Sequence, residues 1–294
     1  MANLKEIRTR IASVTSTKQI TSAMKMVSAA KLKKAQDAVL QLRPYADKLS
    51  NILKDVSDSC DNITENVYIK PRPVKNVLVV VITSNRGLCG GFNANAVKLV
   101  MNLAQNEYNN LFKTNRFKIF CIGKKGNDML KSKKMPIYQY RADLVDKPTY
   151  ARIEDTANDL LEWYKSGEFD KIILIYNRFK NAAVQILAEE QFIPVLLEKE
   201  KEKKRGILSD YIFEPQQAEL VDELIPYTLK IRFYNAILDS LASEHGARMT
   251  AMHKATDNAS ELIKELTLSY NKARQATITG EILEIVGGAE ALKG

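Results

Sequence analysis

Hydrophobic positions near the start of the chain recur in steps of three and four: Leu4, Ile7, Ile11, Val14, then Ile20, Met24, Val27, then Ala35, Ala38, Leu42, Tyr45, Leu49, Ile52 and Val56. That period marks one face of an α-helix. The two interruptions predict a seam whose register slips twice. The first glycine is Gly87 and the first proline Pro44. Nothing before Pro44 breaks a helix, and Pro44 itself is expected to bend the helix without ending it. A helix over residues 1–58 follows.

The other end of the chain repeats the pattern through Ile231, Tyr234, Leu238, Leu241, His245, Met252, Ala255, Ala259, Leu262, Leu266, Tyr270 and Ala273, with no proline after Pro226. This predicts a second long helix within residues 215–294. About 60 helical residues span ~90 Å, whereas a compact body of this chain length is roughly 50 Å across. Such a helix needs a partner to cover its stripe. The nearest partner is the first helix, giving an antiparallel coiled coil; the alternative is several short bundle helices. The many alanines and polar residues in the seam make the pair weakly hydrophobic, so another protein is expected to complete one face.

Between the helical ends, residues 74–213 change period. Val77–Thr83, Phe117–Ile122 and Lys171–Tyr176 are short β-rich runs, separated by helical stretches at about 93–112, 124–132 and 150–166. Val184–Glu189 and Gly206–Phe213 are further strand candidates around the charged run 198–205, which reads as a solvated loop or hairpin. The fold class expected is therefore α/β: a Rossmann-like domain with a central, mostly parallel sheet, carried on the long helical pair.

Charge sharpens the picture. Of the formal net charge of +9, residues 1–54 carry +8, from eleven Lys/Arg against three acids. Residues 219–294 carry −3, from eight bases against eleven acids. The first helix is expected to face something acidic. Nucleic acid is one choice, but the segment has no aromatic residue before Tyr45 and its apolar spine commits a face to packing. An acidic protein surface suits it equally well electrostatically. With 294 residues, 45% hydrophobic and 27% charged, the composition is that of a folded soluble protein. No apolar run approaches the ~18 residues of a membrane span, and MANLKEIRTR reads as neither a secretory nor a transit signal. Cys60, Cys89 and Cys121 are odd in number with no CxxC, pointing to a reducing compartment without a disulfide framework.

The stretch VLVVVITSNRGLCGGFNANAVK sets a glycine-rich turn between a strand and a helix, a place where anions often bind. Arg86-Gly87-Leu88-Cys89-Gly90-Gly91 matches neither GxGxxG nor GxxxxGK[ST], so the glycines read first as a tight turn. Cys89 beside Arg86 is read as a packed cysteine. His245 and His253 lie eight residues apart, too far for chelation from one helix, with no further ligand to complete a zinc set. No nucleophile–base pattern stands out, and no catalytic residue, cofactor or metal is assigned. Three classes stay open from the residues alone: a nucleotide-dependent enzyme, a nucleic-acid binder and a mechanical subunit.

Longer motifs narrow the choice. KEIRTRIASVTSTKQITSAMKMVSAAKLKKAQ, SNRGLCGGFN and ASEHGARMTAMHKATDNASELIKELTLSYNKARQATITGEILEIV closely resemble the gamma subunit of bacterial F-type ATP synthases, and the resemblance runs end to end. It implies a non-catalytic central-stalk rotor, its coiled coil inside a hexamer of alpha and beta subunits. Its base would meet the epsilon subunit and the membrane-embedded c-ring, at the cytoplasmic face of a bacterial inner membrane, as a peripheral protein without nucleic acid or membrane insertion. Position by position, it implies that Lys18, Met24, Lys25, Arg274 and Gln275 face beta subunits. It places Tyr211, Phe213 and Glu214 in the foot that meets the ring and epsilon, Phe213 standing where a tyrosine is common. The tail EIVGGAEALKG carries Gly287 and Gly288 side by side, which are expected to fray the last turns.

Overall fold

Two helices of unusual length frame the chain: α1, Leu4–Asp58, and α7, Gln217–Ala291, the latter of 75 residues and so about 110 Å long. The computed structural model describes residues 4–58, 66–146, 148–195 and 217–291. The chain forms two compact units, one of Met1–Ala29 with Arg248–Gly294, the other of Ala30–Ala247. Both helices continue through their internal prolines, Pro44 and Pro226. α7 also runs through Gly287 and Gly288, where fraying is expected. Extending a formed helix adds one hydrogen bond per residue without a new nucleus, and this outweighs the glycine penalty there.

In the first unit α1 and α7 lie against each other. Residues 4, 7, 11, 14, 18, 21, 25 and 28 of α1 are buried or half-buried, an unbroken alternation of threes and fours. The expected register slips are therefore absent. Lys18, Thr21, Lys25 and Ser28 carry the seam through the stretch where Ile20, Met24 and Val27 were expected to, and Ile20 and Val27 are instead 58% and 57% exposed. The polar seam is cheap because its hydroxyls are satisfied within their own helices. Thr21 donates to the Lys18 carbonyl at 3.0 Å and Ser28 to the Met24 carbonyl at 2.8 Å, while lysine stems lie along apolar surface. Thr256 of α7 donates across to the Thr21 hydroxyl at 2.9 Å. Counting outward from that pair in antiparallel register sets Leu4 opposite Ala273. Burial on α7 accordingly fades after Ala273.

The second unit is built on a five-stranded sheet in the order β3-β2-β1-β4-β5. Its strands are β1 (Val77–Ile82), β2 (Phe117–Ile122), β3 (Ile137–Arg141), β4 (Lys171–Phe179) and β5 (Gln185–Ile193). All pairings are parallel except β4 with β5. β1, VLVVVI, is buried along its whole length, as a central strand covered on both faces must be. Val77, Val79 and Val81 face α2 (Phe92–Asn102) and α4 (Lys124–Ser132). Leu78, Val80 and Ile82 face the cluster formed by α6 (Tyr150–Lys165), the first turns of α7 and Leu53 of α1. Here too α1 and α7 run antiparallel: Arg43 meets Asp239, while Ala46 and Leu49 share a cluster with Ile231.

β2 and α4 have the expected bounds, and the strand expected to end at Tyr176 runs on to Phe179. β3 and the short α5 (Asp143–Asp146) were not foreseen. The single helix expected over 93–112 is instead α2, a π-helical turn Leu103–Glu107, and α3 (Asn109–Lys113). Tyr108 causes the break: its amide bonds to the Leu103 carbonyl at 2.9 Å, its ring lies 6.1 Å from that of Phe117, and Lys171 donates to its hydroxyl at 2.9 Å. The strand candidate Gly206–Phe213 and the charged run 198–205 lie outside the described residues.

Candidate functional site

The carboxyl ends of β1 and β2 are where sheets of this kind hold nucleotides. In this chain the place is filled by the chain's own side chains. The Ser84 amide donates to Asn93 Oδ1 at 2.9 Å, and Asn93 Nδ2 donates back to Ser84 Oγ at 2.7 Å. Ser84 Oγ donates to the Arg86 carbonyl at 2.6 Å. One residue on, Asn85 accepts from the Lys124 amide at 2.9 Å and donates to the Ala142 carbonyl at 2.8 Å. Thr83 takes the Gly126 amide at 3.1 Å. Amide groups at the start of α4, of the kind that cradle a phosphate, are thus engaged internally.

Glycine is required where the loops close. A Cβ at Gly123, whose φ is +102°, would lie 2.1 Å from the Thr83 carbonyl oxygen. Leu88 sits at the loop apex with φ +62° and its side chain 62% exposed. Cys89 is buried, matching the packed reading, and so is Cys121, whose thiol burial pushes up to about 12. Among the described residues, no three His, Cys, Asp or Glu side chains come together to hold a metal. His253 is exposed and 3.2 Å from Asp257, while His245 is buried.

The surfaces of the helical pair are the other candidate site. Lys18 and Lys25 are half-buried seam residues, and Met24 is exposed beside them. Arg274 and Gln275 are exposed on α7, just past the last half-buried position opposite α1. Beyond them Ile278, Ile282, Leu283, Ile285 and Val286 are all exposed, an aliphatic run that water does not favour. Sequence reasoning did not single these five out, although their density within nine residues was visible. Tyr211, Phe213 and Glu214 lie outside the described residues. No helix among the described residues is long and apolar enough to cross a membrane.

A coiled-coil protein bearing an α/β body, its nucleotide edge occupied from within and its helical surface unusually apolar at one end, is a protein built to engage partners. Comparison with known proteins gives the class a family. The ATP synthase family model matches residues 3–292. The ATP synthase gamma chain of Flavobacterium johnsoniae is 56% identical over the whole of both chains, and that of Christiangramia forsetii 53%. Among solved structures, a chain of the Tetrahymena thermophila mitochondrial ATP synthase central stalk and c-ring aligns with a TM-score of 0.62 at 25% identity, over 80% of this chain and 99% of that one. The chain belongs to the ATP synthase gamma-chain family, the non-catalytic rotor subunits of the central stalk.

Proposed function

We propose that this chain carries rotation from a membrane c-ring to catalytic beta subunits, as the rotor of a bacterial F-type ATP synthase at the cytoplasmic face of the inner membrane. The aliphatic run on α7 supports the reading most directly. Five exposed side chains past the end of α1 suit a close-fitting protein collar, the role an alpha–beta hexamer would fill. Met24 on α1, with Arg274 and Gln275 on α7, would meet beta subunits at particular angles. Lys18 and Lys25, with their stems in the seam, would present their ammonium groups to acidic loops. Tyr211, Phe213 and Glu214 would form the foot toward the c-ring and epsilon.

The physics is that of coupling between sites. A rotor biases three otherwise equivalent sites only if its contacts with each differ at every angle, and that difference in contact energy is the coupling. The charge asymmetry between the helices provides it: α1 is strongly basic and the C-terminal stretch acidic. Ion flow would turn the ring, the foot would pass on torque, and the beta sites would be driven through binding, synthesis and release. Hydrolysis would run the cycle backwards.

The test is reconstitution. The tagged chain expressed with alpha, beta and epsilon should purify in fixed stoichiometry, and membrane vesicles lacking it should lose ATP-driven ion pumping. A chain that purifies alone, or vesicles that pump without it, would reject the reading.

A further inference from the structure

Each long helix contains a proline, and each proline leaves a gap in its ladder, at the Leu40 carbonyl before Pro44 and at the Asp222 carbonyl before Pro226. Within the Ala30–Ala247 unit, polar cross-links flank Pro44 on α1. Tyr45 follows Pro44, Tyr227 follows Pro226, and their hydroxyls are 2.7 Å apart. On the other side of Pro44, Arg43 Nη2 donates to Asp239 Oδ1 on α7 and to the Phe179 carbonyl at the end of β4, both at 3.0 Å. Asp239 is 3% exposed, while the Arg43 side chain keeps 39% of its surface open, so the carboxylate end of the pair is the one withdrawn from water. Beside it lies an open groove of about 490 Å³ lined by Tyr176, Arg178, Glu190 and Asn235 among others. Directional bonds are thus added to the apolar packing of Ala46, Leu49 and Ile231 where two helices and a strand meet.

We propose that Arg43 is a positioning residue of the rotor: with Tyr45 it splints the turn that Pro44 leaves one hydrogen bond short, so that α1, α7 and β4 turn as one piece under load. The inference rests on the rotor reading. Apolar surfaces slide past one another at little cost, whereas a charge-assisted hydrogen bond resists displacement along its own direction. Without the splint, the weakened turn of α1 becomes a torsional hinge, and part of each step winds the hinge instead of moving the catalytic sites.

The experiment uses the whole complex in sealed vesicles, with ions pumped per ATP hydrolysed measured at low and at steep opposing gradient. Arg43→Met alone strands a buried carboxylate, so the informative variant is Arg43→Met/Asp239→Leu, which replaces both partners by apolar groups. It should assemble at wild-type stoichiometry, yet its pumping ratio should fall at least threefold between low and steep gradient, beyond any fall in wild type. Arg43→Lys should recover at least half of that loss. A ratio that tracks wild type under load rejects the splint. If the double variant does not assemble, Tyr45→Phe/Tyr227→Phe, which removes two exposed hydroxyls, should show a smaller load-dependent loss; a wild-type ratio there rejects the splint equally. Failure of the rotor reading would look different, as coupled pumping by vesicles that lack the chain altogether.

Discussion

Thr21 and Thr256 face each other across the helical seam with their hydroxyl oxygens 2.9 Å apart, a polar pair where a coiled coil ordinarily places leucine or isoleucine. Thr21 is nearly buried and also reaches its own helix, donating to the Lys18 carbonyl. Either single valine replacement should lower the chain's stability by about 1 kcal/mol, and the double replacement should return most of it, because both polar partners then go together. Urea unfolding of the four variants measures this; additive losses would show that the two hydroxyls do not interact.

Gly123 and Gly90 both have positive φ but differ in surroundings. A Cβ at Gly123 meets the Thr83 backbone at 2.1 Å, while at Gly90 it meets nothing within 4 Å. Gly90→Ala should cost about 1 kcal/mol from backbone strain alone. Gly123→Ala should cost more than ~3 kcal/mol, or abolish folding, because β1 and the start of α4 must separate. Soluble yield and thermal unfolding separate the two outcomes.

Burial raises the Asp239 carboxyl above its ordinary range, with Arg43 and Arg178 pulling it back down. A carboxyl raised in the folded state contributes stability that is complete in acid and is lost as pH rises through its folded value. Removing Arg43 raises that value further. Arg43→Met should therefore be about 1–3 kcal/mol less stable than wild type near pH 7, the partly exposed Arg43 and the remaining Arg178 limiting the loss. The deficit should shrink as pH falls through the raised range in which Asp239 takes up its proton. Denaturant midpoints across that range give the comparison, and a deficit independent of pH would exclude Asp239 as its source.

Arg274→Ala/Gln275→Ala touches two exposed side chains beyond the reach of α1. Helicity by circular dichroism should stay unchanged, since alanine favours helix. Turnover of the assembled complex should fall several-fold, the loss of one or two interfacial hydrogen bonds at about 1 kcal/mol each. Normal turnover in the double variant would remove both residues from the contact surface.

The long helices were legible because glycine and proline are so sparse at both ends, and β1 because six consecutive β-branched or leucine residues suit a strand buried on both faces. β3 was not, since Ile137–Arg141 alternates half-buried and exposed residues at a sheet edge and carries too little apolar signal. The π-helical turn was hidden because its cause, Tyr108 against Phe117 and Lys171, is tertiary. The seam misled for a related reason: threonine and serine that bond back to their own helix look like surface residues, while Ile20 and Val27 look like core. The proposed contact residues come from resemblance alone, and periodicity would have set Met24 in the seam rather than outside it.

The lock that Asn93 and Ser84 make at the end of β1 also bears on how such a subunit transmits force. By closing this end of β1 with bonds between its own side chains and backbone, the domain fixes the strand tip from within, so that a push on the loop that follows is passed to the sheet without slack.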